Sequence, residues 1–253
     1  PALYVSGGAI ARSLGYPDVG LTTFTEMQKR LEEIRAVTSL PLIVDADTGY
    51  GNVINVLRTV RGFEAAGAAA LHIEDQVDPK RCGHYEQREV IAPREMINKI
   101  RAAMDARSNP ATIIIARTDA RSVLGLNEAI DRANSYAQAG ADVLFIEAPQ
   151  SRQEIERIAS EVKAPLLINM FSGGKTPLIE KAELSALGYR IMIIPSDLQR
   201  AAVRAMQRAA EQIAQHGHTS SMQRDMASFA ERENVVGLQT IQGLERKFLR
   251  DTE

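Results

Sequence analysis

Ala66-Gly67-Ala68-Ala69-Ala70-Leu71-His72-Ile73-Glu74 returns later in the chain as Ala139-Gly140-Ala141-Asp142-Val143-Leu144-Phe145-Ile146-Glu147. In each copy a glycine follows a helix-like stretch, where a left-handed residue closes the last turn. An apolar strand then starts two or three residues later and ends in a glutamate. The pattern predicts one βα unit used twice, two units apart.

Reading outward, the same alternation fills most of the chain. Apolar runs predict strands at 2–6, 41–47, 70–75, 112–119, 143–148, 165–170 and 190–196. Amphipathic stretches between them predict helices at 23–37, 53–66, 93–107, 126–139, 151–162, 180–187 and 198–215. Near-continuous apolar strands separated by such helices imply parallel strands with crossover helices. An α/β class follows, with a (β/α)8 TIM-type barrel as the expected architecture. Only seven strands are countable, so one N-terminal βα unit is expected to be missing from the chain; a seven-stranded open sheet competes. A doubly wound sheet finds no Gly-rich dinucleotide fingerprint after an early strand. The barrel is expected over 1–215. A helical extension is expected over 216–253, with helices at 222–232 and 235–249. Val235, Leu238, Ile241, Leu244 and Phe248 make an apolar stripe there that packs on its own barrel or on another subunit.

Composition narrows the function classes. Of 253 residues, 45% are hydrophobic and 25% charged, which is ordinary for a globular domain. A net charge of -2 offers no electrostatic case for nucleic acid or an anionic membrane. A single cysteine cannot make an internal disulfide, so a reducing cytoplasm is the expected setting. No apolar run approaches the ~18 residues of a membrane span, and no signal peptide is visible.

In a parallel barrel, chemistry collects at the C-terminal strand ends. Those ends supply Ser6-Gly7-Gly8, Asp45 and Asp47, Glu74 and Asp75, Arg117 and Asp119, Glu147, Asn169 and Ser196. Helix-capping explains some of them. It does not explain Asp45 and Asp47 on one strand with Glu74 and Glu147 on two others. Four converging carboxylates repel, and a divalent cation relieves that. Acids without His or Cys partners suit a hard ion, Mg2+ foremost, with Mn2+ the alternative. Arg117 offers a planar fork for a substrate carboxylate. Ser6 with the amides of Gly7 and Gly8 forms an anion-holding turn. His72, inside a strand, reads as a satisfied core histidine, and His216 and His218 as solvated.

Cys82, the only cysteine, lies in Asp78-Pro79-Lys80-Arg81-Cys82-Gly83-His84. Lys80, Arg81 and His84 place it in a positive field that favours thiolate and makes the sulfur a usable acid, base or nucleophile.

Taken together these motifs resemble the isocitrate lyase/phosphoenolpyruvate mutase superfamily. The resemblance rests on Tyr4-Val5-Ser6-Gly7-Gly8, on Val44-Asp45-Ala46-Asp47-Thr48-Gly49-Tyr50-Gly51, on His72-Ile73-Glu74-Asp75-Gln76, on Lys80-Arg81-Cys82-Gly83-His84, on Ala116-Arg117-Thr118-Asp119, and on Asn169-Met170 with Gly173-Gly174-Lys175-Thr176-Pro177. They occur in the family's order over nearly the whole chain, and the Lys-Arg-Cys-Gly-His loop points to the lyase branch. The resemblance implies a homotetramer with an exchanged helix and a loop at 76–91 that closes over the substrate. It implies Mg2+ near Asp45 and Asp47, with Glu74 around them and Asp18 another acid close by. It places Ser6, Gly7, Gly8, Gly83, Arg117, Glu147 and Asn169 against a 2-hydroxy or 2-keto carboxylate. It makes Cys82 the general acid, with Lys80 and His84 beside it and Tyr4 the hydroxyl base. The implied reaction cleaves a 2-hydroxy di- or tricarboxylate, of 2-alkylmalate or 2-methylisocitrate type, to a 2-keto acid such as pyruvate plus a carboxylate. Mutase-type P–C chemistry and oxaloacetate hydrolysis are the alternatives. Phe171, after Asn169-Met170, cannot hydrogen-bond an extra carboxylate, which favours an alkyl-substituted malate.

Overall fold

The computed structural model describes residues 1–83 and 88–249. The chain divides into two compact units, Pro1–Asp197 and Leu198–Glu253.

The first unit holds seven strands: β1 Leu3–Val5, β2 Leu42–Asp45, β3 Ala70–Glu74, β4 Ile113–Thr118, β5 Val143–Ile146, β6 Leu166–Asn169 and β7 Tyr189–Ile193. Each pairs in parallel with the next, in sequence order. The connecting helices are α1 Gly7–Ser13, α2 Phe24–Val37, α3 Val53–Ala65, α4 Pro93–Ala106, α5 Ala120–Val123, α6 Leu126–Gln138, α7 Arg152–Glu161 and α8 Lys181–Leu187. Local chemistry sets their starts. Thr23 and Glu26 form a capping box for α2, Asn52 and Asn55 one for α3, and Pro93 opens α4. Both repeats behave as the sequence predicts. Gly67 and Gly140, at φ 94° and 114°, follow the ends of α3 and α6.

Strand parity then sorts the side chains into two cores. One set, including Val44, Leu71, Ile73, Ile114, Leu144 and Ile168, packs with Phe63, Met96, Ile100 and Tyr136 of the helices. The other, Ile43, Ala70, Ile115, Val143, Phe145, Leu167 and Ile193 with Tyr4, fills the space inside the strands. Tyr4 of β1 and Ile193 of β7 share this inner cluster. A flat sheet would hold its two edges apart, so the seven strands form a nearly closed TIM-type barrel, not an open sheet.

Two elements depart from the sequence reading. The turn expected at Ser6-Gly7-Gly8 is the start of a helix: Gly7 opens α1, and Ser6 caps it by accepting a bond from the Ala9 amide. The helices expected at 222–232 and 235–249 are divided differently. There α9 Asp197–His216, all but its first residue in the second unit, is followed by a 3-10 turn at Ser220–Asp225, α10 Phe229–Val235 and α11 Leu238–Leu249. Gly237, at φ 71°, breaks the chain between α10 and α11, which leaves Val235 on the earlier helix. No helix among the described residues is long and apolar enough to cross a membrane.

Candidate active site

The same parity that packs the inner cluster aims the polar strand ends into one place. Counting in twos from Ile43, Ala70, Ile115, Val143 and Leu167 reaches Asp45, His72 and Glu74, Arg117 and Asp119, Glu147 and Asn169. Register sets Asp45 beside His72, and Glu74 beside Arg117.

Asp45 lies at the bottom of the group. Its Oδ2 accepts the Gly7 amide at 3.0 Å, and its Oδ1 accepts the Asp47 amide at 3.2 Å. A Cβ at Gly7 would stand 2.9 Å from Asp45 Oδ2 and 3.2 Å from Asp47 Oδ1, so only glycine lets α1 begin this close. The Gly7 amide is therefore turned to Asp45. A Cβ at Gly8 would stand 2.7 Å from Asp18 Oδ2. Burial works against an ionised Asp45, but the charges of His72, Lys80 and Arg117 prevail and hold it well below the usual carboxylate range. Asp47, in a left-handed conformation at φ 46°, goes the other way. Burial, with Asp45 and Asp18 adding repulsion, raises it to about 7 in spite of Lys80.

Lys80 Nζ reaches Asp18 Oδ1 at 2.7 Å and Asp47 Oδ1 at 2.8 Å. Burial opposes its charge, yet the acids Asp47, Asp45, Glu74 and Asp18 keep it an ammonium. Its partners are thus carboxylates, and Arg81 is exposed. Cys82 is half-buried, and its amide donates to the Asp18 carbonyl at 3.1 Å. Gly83 lies over the opposite wall: a Cβ there would stand 2.9 Å from both Arg117 Nη2 and Glu147 Cγ. The Gln76 side chain clamps the loop at Arg81, donating to its carbonyl and accepting from its amide, both at 2.9 Å. His84 lies outside the described residues.

Arg117 Nε is 2.9 Å from Asp119 Oδ2 and 3.2 Å from Glu74 Oε2; its Nη1 is 3.9 Å from Glu147 Oε2. Burial raises both Glu74 and Glu147 above the ordinary carboxylate range against the pull of Arg117. Asn169 Nδ2 donates to Glu147 Oε1 at 3.4 Å.

His72 corrects the sequence reading. It is buried, but its Nδ1 has no hydrogen-bond partner, so it is not a satisfied core residue. Its Nε2 is 2.7 Å from the Tyr4 hydroxyl and 3.5 Å from Asp45 Oδ1, and its ring stacks on Tyr4. Burial first, then Arg117 and Lys80, lowers it to about 4 against the opposing pull of Asp45. Burial and Asp45 raise the Tyr4 phenol well above its ordinary value. The signal for His72 was present, since it stands two residues before Glu74 and so shares its face.

The residues fit a hard cation. Among the described residues, Asp45, His72 and Glu74 bring one ligand atom each within 4.8 Å of one another. Glu74 Oε1 is buried with no hydrogen-bond partner. Among the described residues, Asp18 and Asp47 share the one ammonium of Lys80, and Glu74 shares Arg117 with Asp119, so acids outnumber cations there. His72 stands among these acids, but its Nε2 meets the Tyr4 hydroxyl at 2.7 Å.

The fold and the site together define a TIM-type barrel with a cation-competent acid centre at its C-terminal strand ends. The family model for phosphoenolpyruvate phosphomutase matches residues 1–214. A 2,3-dimethylmalate lyase of Eubacterium barkeri is 44% identical over 248 residues, 98% of this chain and 86% of that protein. A 2-methylisocitrate lyase of Aeropyrum pernix is 48% identical over 216 residues, 85% of this chain and 70% of that protein. Among solved structures, a 2,3-dimethylmalate lyase superposes with TM-score 0.90 at 36% identity, covering 97% of this chain and 83% of the other. A phosphonopyruvate hydrolase complexed with oxalate and Mg2+ superposes with TM-score 0.88 at 30% identity, covering 98% and 87%. The chain belongs to the phosphoenolpyruvate mutase/isocitrate lyase superfamily.

Proposed function

We propose that this protein is a Mg2+-dependent carbon–carbon lyase that cleaves a 2-hydroxy dicarboxylate of the 2-alkylmalate type to a 2-keto acid and a carboxylate. One observation supports it: Gly83, the residue after Cys82, lies against Arg117 and Glu147, and Arg117 is 3.2 Å from the buried Glu74 of the acid cluster. The segment that carries the thiol thus reaches an anion-binding guanidinium next to a cation-competent centre. Similarity to named lyases over most of the chain supports the reaction class.

Asp45, Glu74 and Asp47 would hold Mg2+, which neutralises the anionic oxygens of a bound 2-hydroxy carboxylate and its 2-keto product. Arg117 takes a substrate carboxylate in its planar fork, with Glu147 and Asn169 closing that side. Ser6, Gly7 and Gly8 set the opposite wall through α1. A buried phenol is a poor base while it keeps its own proton. The Tyr4 hydroxyl meets a neutral imidazole at 2.7 Å, so the base role belongs to the Tyr4–His72 pair: Tyr4 takes the substrate hydroxyl proton as its own moves to Nε2. The C2–C3 electron pair leaves with the C3 fragment, and C2 becomes the keto carbon. The Cys82 thiol protonates the resulting carbanion, and Lys80 holds Asp18 and Asp47 in place. The loop shields that carbanion from bulk water.

Phe171, two residues past the end of β6 at Asn169, supports an alkyl substituent over a further carboxylate. Exposed apolar side chains on the C-terminal helices, Leu198 at 87% and Phe248 at 64% among them, support a tetramer with helix exchange. The lone cysteine is in keeping with a reducing cytoplasm.

The test is keto-acid release from 2,3-dimethylmalate and 2-methylisocitrate, and oxalate release from oxaloacetate, with and without EDTA. Release from the alkylmalate, abolished by EDTA and restored by Mg2+, is the expected result. Phosphorus NMR on phosphonopyruvate covers the P–C alternative. Turnover there and not on the malates would replace the proposal.

A further inference from the structure

The buried carboxylate of Asp119 is shared by two guanidiniums. Its Oδ2 takes Arg117 Nε at 2.9 Å, and its Oδ1 takes Arg117 Nη2 at 3.1 Å and Arg88 Nη1 at 2.5 Å. The second hand of Arg88, Nη2, donates to Ser122 Oγ at 2.6 Å. Both ion-pair partners are out of solvent, with the Arg88 side chain 2% exposed and that of Asp119 0%.

The frame around them is fixed. The Asp119 amide donates to Asp75 Oδ1 at 2.9 Å. The other oxygen of Asp75 accepts Thr118 Oγ1 at 2.7 Å, Tyr136 OH at 2.8 Å and Arg132 Nη1 at 3.1 Å. Arg88 is tied to the same strand end. The Val77 amide donates to the Glu89 carbonyl and the Ile91 amide to that of Asp75, both at 2.9 Å, and Gln76 bridges Val90 antiparallel. Arg88 therefore stands at a set height over Asp119.

Charge counting gives this arrangement a consequence. Asp119, Glu74 and Glu147 all border Arg117. With Arg88 present, two cations face three acids. Without it, Arg117 alone must answer Asp119 as well as the glutamates, and an unpaired buried charge is strongly unfavourable. Arg117 already holds Asp119 through Nε and Nη2; without Arg88 sharing that acid it would be held there more tightly, and its outer Nη1 edge would be less able to meet an incoming carboxylate. We infer that Arg88 is a positioning residue for Arg117: through Asp119, which both hold, it keeps the Arg117 fork available to a substrate anion. The inference rests on the proposed role of Arg117 as the carboxylate-binding residue.

The test is calorimetric titration of the full chain with oxalate at saturating Mg2+, and with Mg2+ alone, for Arg88→Met, Arg88→Lys and Ser122→Ala. Arg88→Met is expected to weaken oxalate binding by about tenfold or more while Mg2+ binding stays within about twofold. In turnover the same change raises KM more than it lowers kcat. Arg88→Lys keeps the charge but loses the two-armed geometry, and is expected to bind oxalate more weakly than the parent and more tightly than Arg88→Met. Ser122→Ala removes a partner of Arg88 other than Asp119 and is expected to leave oxalate binding unchanged, which a purely structural role would not predict. If Arg88→Met does not fold, Arg88→Gln replaces it. Oxalate binding at parent strength in a folded Arg88→Met or Arg88→Gln, or an equal loss of Mg2+ binding, overturns the positioning role alone. A parent protein that binds Mg2+ but no oxalate overturns the carboxylate-binding role of Arg117 and this inference with it.

Discussion

At the scale of single residues, the site is a contest between burial and charge, and His72 shows how it is decided. Its ring is buried, its Nε2 meets a phenol, and nothing described pairs with its Nδ1. The folded protein therefore refuses a proton until about pH 4, while the unfolded chain accepts one near 6.5. Between those values the unfolded state binds more protons, so stability is lost as pH falls from about 6.5 to about 4. The loss is on the order of 3 kcal/mol from this residue. Urea unfolding in EDTA across that range should show a shallower pH slope for His72→Asn than for the parent. Parallel slopes would mean that His72 is already charged in the fold. A histidine two residues before an acid on the same strand face was readable as a site residue. Burial alone hid it, because a strand-interior histidine is ordinarily packing. The pairing of Lys80 with Asp18 and Asp47 had no such signal, since it joins Lys80 to one acid 62 residues away and to another on a different loop.

At the scale of elements, all seven strands were legible because parallel strands covered on both faces are apolar nearly throughout. The Ala-Gly caps before β3 and β5 were legible because a left-handed helix end favours glycine. Less visible was α1: Gly7 and Gly8 argue against a helix, and only Ser6, accepting from Ala9, marks its start. Those glycines are kept by neighbouring acids, a fact of tertiary packing. The same contrast separates two other turns. Gly49, at φ 88°, would bring a Cβ to 2.5 Å from Val56 Cγ2, whereas Gly125, at φ 95°, would meet nothing within 4 Å. Gly125→Ala should therefore cost only backbone strain, about 1 kcal/mol, and Gly49→Ala about 2–4 kcal/mol, because a core side chain must move as well. Thermal unfolding of the two variants compares them, and equal losses would show that Val56 yields without penalty.

At the scale of the molecule, seven strands share one inner cluster, and strand parity turns the apolar filling of the barrel into a polar rim within two residues. The C-terminal helices show the reverse pattern. In α11, Ile241, Leu244 and Phe248 recur at helical spacing and are all substantially exposed. If they meet another subunit, Ile241→Glu with Leu244→Glu should give a smaller species in sedimentation equilibrium than the parent; an unchanged mass would place the stripe elsewhere. The acid centre and the thiol meet in one experiment. Turnover of 2,3-dimethylmalate by Cys82→Ser should fall by about 10²–10⁴-fold, with oxalate and Mg2+ binding retained. Turnover at the parent rate in that variant would contradict proton delivery from the sulfur and with it the proposed mechanism.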